Sequence, residues 1–114
     1  MGKIKNYEGR ALVYLPNEEK EKFKIYCADR NLNCVDIVRA GIRKQKELGL
    51  KFGKSKLIGP KVSMELPISK RDKEYIHNER KRMGIKETEY LEECIELGKK
   101  VINEQGGKEN ETIM

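Results

Sequence analysis

No stretch of this sequence is apolar for long enough to cross a membrane, and Met1 to Tyr7 lacks the apolar core of a signal peptide. A soluble cytoplasmic protein with no membrane partner is expected. Cysteine and histidine are equally scarce. Cys27, Cys34 and Cys94 are odd in number and show no CxxC spacing, and His77 is the only histidine. A disulfide framework is excluded on this count, and no ligand set for zinc is present, so neither a metal nor a cofactor is expected. At the helical spacing described below, Cys27 and Cys94 read as small core residues. There is also no nucleophile–base pair and no glycine-rich phosphate loop. An enzyme is therefore the least supported class, and no small-molecule ligand is indicated.

What the sequence has is charge, unevenly placed. Of 114 residues, 39% are charged and 37% apolar, enough to fill one modest core but not two independent ones. The net charge of +6 belongs entirely to residues 1–54, which carry 13 Lys/Arg against 7 Asp/Glu; residues 55–114 carry 12 of each. A basic half points to a polyanion such as double-stranded DNA.

The sequence also repeats itself. Arg-Ala-Leu-Val-Tyr-Leu-Pro at 10–16 is echoed 51 residues later by Lys-Val-Ser-Met-Glu-Leu-Pro at 61–67. Each is a short segment of strand character whose proline stops the strand and suits the first turn of a helix. After Pro16, Phe23, Tyr26, Cys27 and Arg30 recur at helical spacing, and Asn31 suits the left-handed position that ends a helix. Asn33 can cap a second helix carrying Val35, Ile37, Val38, Ile42 and Leu48, ending at Gly49. In the second half Ser69 can cap a helix to Met83, with Gly84 as terminator. A last helix then runs from about Glu87 to Ile102, with Tyr90, Leu91, Cys94, Ile95, Leu97 and Val101 available for packing. Ile85 follows Leu32 by 53 residues, which assigns the two extra residues to the second half's first helix or its turn. The expected organisation is a flexible arm (1–9), a first unit (10–48), a linker (49–60), a second unit (61–102) and a disordered polar tail (103–114).

Strand, Leu-Pro, helix, tight turn and helix within about forty residues resembles the ribbon-helix-helix (MetJ/Arc-type) family of transcriptional regulators. The first unit carries the resemblance best, in Pro16, Phe23, Tyr26, Cys27, Leu32, Asn33, Asp36, Ile37 and Val38; in the second, Lys86 replaces the small cap residue. The resemblance implies a mainly α fold in which two strands pair antiparallel and enter the major groove. It also implies that the N-termini of the second helices grip flanking phosphates, and that regulation, most simply repression, follows. A two-stranded ribbon on one small unit is marginal alone, so two units must combine. Strand 10–15 pairs either with strand 61–66 in an intramolecular pseudo-dimer, the expected form, or with its own copy in a homodimer or higher assembly on DNA.

Alternation along the strands selects their faces. Val62, Met64 and Leu66 are apolar, so counting back from the shared Leu-Pro makes Ala11, Val13 and Leu15 the inward set. The expected base readers are then Arg10, Leu12 and Tyr14, with Lys61, Ser63 and Glu65 opposite. Arg10 can pair with guanine, Leu12 can meet a thymine methyl, Tyr14 can hydrogen-bond to a base or phosphate, and Glu65 can accept from cytosine. Lys3, Lys5, Asn33, Cys34 and Lys86 are the expected phosphate contacts, with Glu87 and Glu89 competing at the second clamp. Two alternatives carry other predictions. In an antitoxin-like or protein-interaction module on the same fold, Leu12, Tyr14 or the acidic last helix holds a protein. A helix-turn-helix would place the helix after Asn33 in the groove and leave the repeated strands without a role.

Overall fold

The computed structural model describes the backbone of residues 9–113 and the side chains of residues 9–105. Within these residues the order is β1 (Gly9–Leu15), α1 (Asn17–Asp29), α2 (Cys34–Leu48), β2 (Val62–Ile68), α3 (Lys70–Met83) and α4 (Glu87–Ile113). The chain is mainly helical, with one two-stranded antiparallel sheet pairing β1 with β2.

The register sets Val13 opposite Met64, with Ala11 opposite Leu66 and Leu15 opposite Val62. Val13 and Met64 are the residues the Leu-Pro repeat equates, so the two strands cross at equivalent points. Ala11, Val13, Leu15, Met64, Leu66 and Ile68 face the core and alternate with exposed neighbours, as parity requires. Val62 departs from the expected inward set: it is exposed at the end of the ribbon.

The helix ends explain why the halves match. In the first half Asn31 has φ 56°; Leu32 N–H donates to Cys27 O and Asn31 N–H to Ala28 O. In the second half Gly84 has φ 71°; Ile85 N–H donates to Arg80 O and Gly84 N–H to Lys81 O. Both are Schellman turns, which need one left-handed residue followed by an apolar one. Ser69 caps α3 by accepting from Asp72 N–H at 3.1 Å.

The two extra residues of the second half lie elsewhere than expected. β2 runs through Pro67 to Ile68, and the cap falls at Ser69, whereas β1 ends at Leu15 and Pro16 itself is the cap. Pro67 is tolerated because it lies opposite Arg10, at a position whose backbone faces the open edge of the ribbon and needs no N–H.

The core is filled by Phe23 and Cys27 from α1, Val35, Ile37, Val38 and Ile42 from α2, Ile76 and Met83 from α3, and Tyr90, Leu91, Cys94 and Ile95 from α4. The linker contributes too. Phe52 is buried against Tyr90, with ring centroids 5.2 Å apart, and its N–H points at Met83 Sδ. Leu48, expected to pack, is exposed at the end of α2. The expected tail is also different: α4 continues as helix past Ile102 to Ile113. Asn103 is held there by α1, since its Oδ1 accepts from Tyr26 Oη at 2.8 Å while Arg30 stacks over the Tyr26 ring.

Candidate nucleic-acid interface

The outer face of the ribbon gathers five of the six expected readers. Arg10, Leu12 and Tyr14 from β1 and Ser63 and Glu65 from β2 are all exposed on it. Leu12 and Tyr14 are 40% and 44% exposed, large side chains left in solvent while their strand neighbours are sealed. Lys61 is not on this face. It lies just before β2, partly buried, and its Nζ donates to Ser55 Oγ at 3.2 Å, because the linker folds back across the start of α4.

The expected readers interact with each other. Arg10 Nη1 donates to Glu65 Oε1 at 3.0 Å, with side chains 74% and 54% exposed. Arg10 lies opposite Pro67, so Glu65 is its diagonal neighbour across the ribbon, within reach of a long side chain. An exposed pair of this kind contributes at most ~1 kcal/mol to stability. Its larger consequence is that the one guanidinium on the face already has a carboxylate partner.

The ribbon's edges are tied down by the helices. In this ribbon the residues with outward side chains are those that turn their N–H and C=O groups to the edges. On the β1 edge, Tyr14 N–H donates to Thr88 Oγ1 at 2.8 Å, and Lys73 Nζ donates to Arg10 O at 2.6 Å. On the β2 edge, Lys20 Nζ donates to Ser63 O at 3.1 Å. Lys20 and Lys73 each stand four residues after the cap of their helix, so the two ammonium groups flank the ribbon from opposite sides. Neither lysine is among the phosphate contacts expected from the sequence; their shared distance from the two caps was the available signal. Lys73 is further held by Glu87, at 3.3 Å.

The two expected phosphate clamps are built alike. Asn33 N–H donates to Asp36 Oδ2 at 3.1 Å, and Lys86 N–H donates to Glu89 Oε1 at 2.9 Å. Each helix therefore supplies its own acid to its first turn, so carboxylate competition is not confined to the second clamp. Glu89 does more: its Oε2 accepts from Ser55 N–H at 2.8 Å. These backbone bonds, from Lys86 and then Ser55, hold the Glu89 carboxyl below its ordinary pKa. The difference between the clamps lies one residue further on. Thr88 closes the β1 edge with its hydroxyl, while Val35 at the matching place cannot, and a cleft remains between Asn33, Cys34, Val35 and the β2 residues Glu65 to Pro67. Lys3 and Lys5 lie outside the described residues.

Away from the ribbon, burial pushes up the Glu92 carboxyl, which lies 7% exposed with Ser55 Oγ donating to its Oε1 at 2.8 Å. Burial raises the Cys27 thiol to about 12 and the Cys94 thiol further. Both cysteines sit in the core. Among the described residues no group of His, Cys, Asp and Glu is placed to hold a metal ion, and no helix is long and apolar enough to cross a membrane. No family model, no curated protein and no solved structure matches the chain.

Proposed function

We propose that this chain is a tandem ribbon-helix-helix protein, an intramolecular pseudo-dimer that reads double-stranded DNA with its β1/β2 ribbon and regulates transcription by occluding the bound site. One observation carries the reading. A two-stranded ribbon seals Ala11, Val13, Leu15, Met64, Leu66 and Ile68 on one face and leaves Arg10, Leu12 and Tyr14 in solvent on the other, on a platform braced at both edges by helices. A ribbon of two strands fits the ~12 Å width of the major groove. Lys20 and Lys73 flank it as the cations for the phosphate walls, and the cleft beside Asn33 and Cys34 offers a helix N-terminus to one strand.

The two edges and the two sets of readers differ, so the preferred site is not a palindrome. Selecting bound sequences from a random duplex pool tests this directly. An asymmetric motif is expected, and Arg10→Ala and Tyr14→Ala should each lose discrimination while remaining folded. Variants that bind the selected site as tightly as the parent would overturn the strand-reading mechanism.

The Arg10–Glu65 pair favours a second reading, because a carboxylate in the middle of the face opposes DNA phosphates. In that reading Leu12 and Tyr14 hold a protein. A pull-down that returns one stoichiometric protein partner, together with a pool selection that enriches no sequence, would decide for it.

A further inference from the structure

The packing of α2 on α4 is the most extensive between any two described elements, and it is asymmetric at three successive positions. The Schellman turns equate residues 53 apart, so Gly41 matches Cys94, Ile37 matches Tyr90, and Gln45 matches Gly98. Gly41 faces Cys94 itself. A Cβ on Gly41 would overlap the Cys94 carbonyl oxygen and lie 2.8 Å from Cys94 Cα. Only one of the two matching positions can carry a side chain at this crossing. Beside it, Gly98 lies under Ile37: a Cβ there would overlap Ile37 O and approach its Cγ2 to 3.0 Å. On the other side the long Gln45 meets the long Tyr90. Tyr90 Oη donates to Gln45 Oε1 at 2.8 Å and Tyr75 Oη to the same oxygen at 2.9 Å. Gln45 Nε2 donates to Glu79 Oε1 and to Leu50 O, each at 3.0 Å.

We infer that these residues form a pairing code: the helical face of the first half accepts only the second half, and each half rejects a copy of itself. Two second halves would set Cys94 against Cys94, where the backbones leave no room for a second Cβ, and Tyr90 against Gly98. Two first halves would set Gly41 against Gly41 and Ile37 against Gln45. The buried Gln45 amide would then lose Tyr75, Glu79 and Tyr90, all of which belong to the second half. Two chains can therefore join only by exchanging halves through residues 49–61, and every ribbon, in a monomer or an exchanged dimer, contains one β1 and one β2. The inference concerns assembly and stands whether or not the ribbon reads DNA.

Two measurements on the full chain test it. In the first, Tyr90→Ile, Cys94→Gly and Gly98→Gln together give the second half the first half's contact residues. This variant should lose its cooperative thermal transition. A six-fold exchange variant adds Ile37→Tyr, Gly41→Cys and Gln45→Gly, which restores the complementary shapes with the halves reversed, though not the hydrogen bonds from Gln45 to Glu79 and from Tyr75, and it should regain a transition at higher temperature than the three-fold variant. A three-fold variant as stable as the parent, or as the exchange variant, overturns the code.

The second measurement does not depend on those variants folding. Ser63→Cys with Cys34→Ser places a single reactive thiol on the ribbon, since Cys27 and Cys94 are buried. After spin-labelling and refolding at high concentration, pairing of like halves would bring two labels onto one ribbon, ~7–8 Å apart between Cα atoms. Monomers, or dimers whose labels lie on separate ribbons, support the inference. A population of closely spaced labels refutes it.

Discussion

Glu65→Gln should tighten DNA binding, because it removes the one carboxylate that the described residues place on the proposed reading face and releases Arg10. The ion pair at 3.0 Å is exposed on both sides, so opening it costs at most ~1 kcal/mol. A carboxylate ~7 Å from a phosphate adds ~0.6 kcal/mol of repulsion in a water-like dielectric, and two flanking phosphates roughly double that. Together these amount to ~1–2 kcal/mol, or ~5–30-fold in Kd. Fluorescence anisotropy with a pool-selected duplex measures it, at low salt so that a long Debye length preserves the repulsive part. The repulsive share should shrink at higher salt, while the share due to freeing Arg10 persists. In an Arg10→Ala background, Glu65→Gln should retain only the salt-sensitive share. Thermal stability should change by less than ~1 kcal/mol, because neither side chain is buried. Weaker binding by Glu65→Gln would refute the reasoning, since it would make Glu65 a reader, accepting from a cytosine amino group as its sequence position allowed.

Three further outcomes follow from the same geometry. Lys20→Ala and Lys73→Ala should each weaken binding to all duplexes alike and reduce the salt dependence of log K by about one ion, as read from titrations at several salt concentrations. Glu92→Gln should raise the melting temperature near pH 7 and lose that advantage near pH 4. Burial raises the Glu92 pKa in the fold, so its contribution is most favourable below the ordinary carboxylate value and is lost as pH climbs through the raised one. Equal gains at both pH values would refute this. Phe52→Ala should destabilise the fold by ~3–5 kcal/mol in urea titrations, although Phe52 lies in the connection between the halves, because it is sealed against Tyr90. A change below ~1 kcal/mol would mean that the linker does not dock.

The tests divide along what was readable in one dimension and what was not. Ribbon parity was readable because strand periodicity is local: polar Ser63 and Glu65 alternating with Met64 and Leu66 leave one orientation, and the repeated Leu-Pro carries it to Arg10, Leu12 and Tyr14. The helix ends were readable for the same reason. Asn31 and Gly84 occupy left-handed positions, and Ser69 caps, because each acts within a few residues of itself.

What the tertiary structure decided involves partners far apart in the chain. Glu65 reaches Arg10 across 55 residues, Thr88 reaches Tyr14 across 74, and Tyr26 holds Asn103 across 77, which carries α4 beyond its expected end. Phe52 has no helical or strand periodicity around it, and its place in the core comes from Tyr90 and Met83, 38 and 31 residues away. Gly41 and Gly98, costly residues inside helices by local propensity, are intelligible only where two backbones touch. Local sequence thus determined which face of the ribbon is outward. Only the folded chain decided that Arg10 and Glu65 on that face are paired with one another, and that the two halves meet through an asymmetric α2–α4 crossing. Short-range sterics set the first, while complementary shapes brought together by the fold set the second.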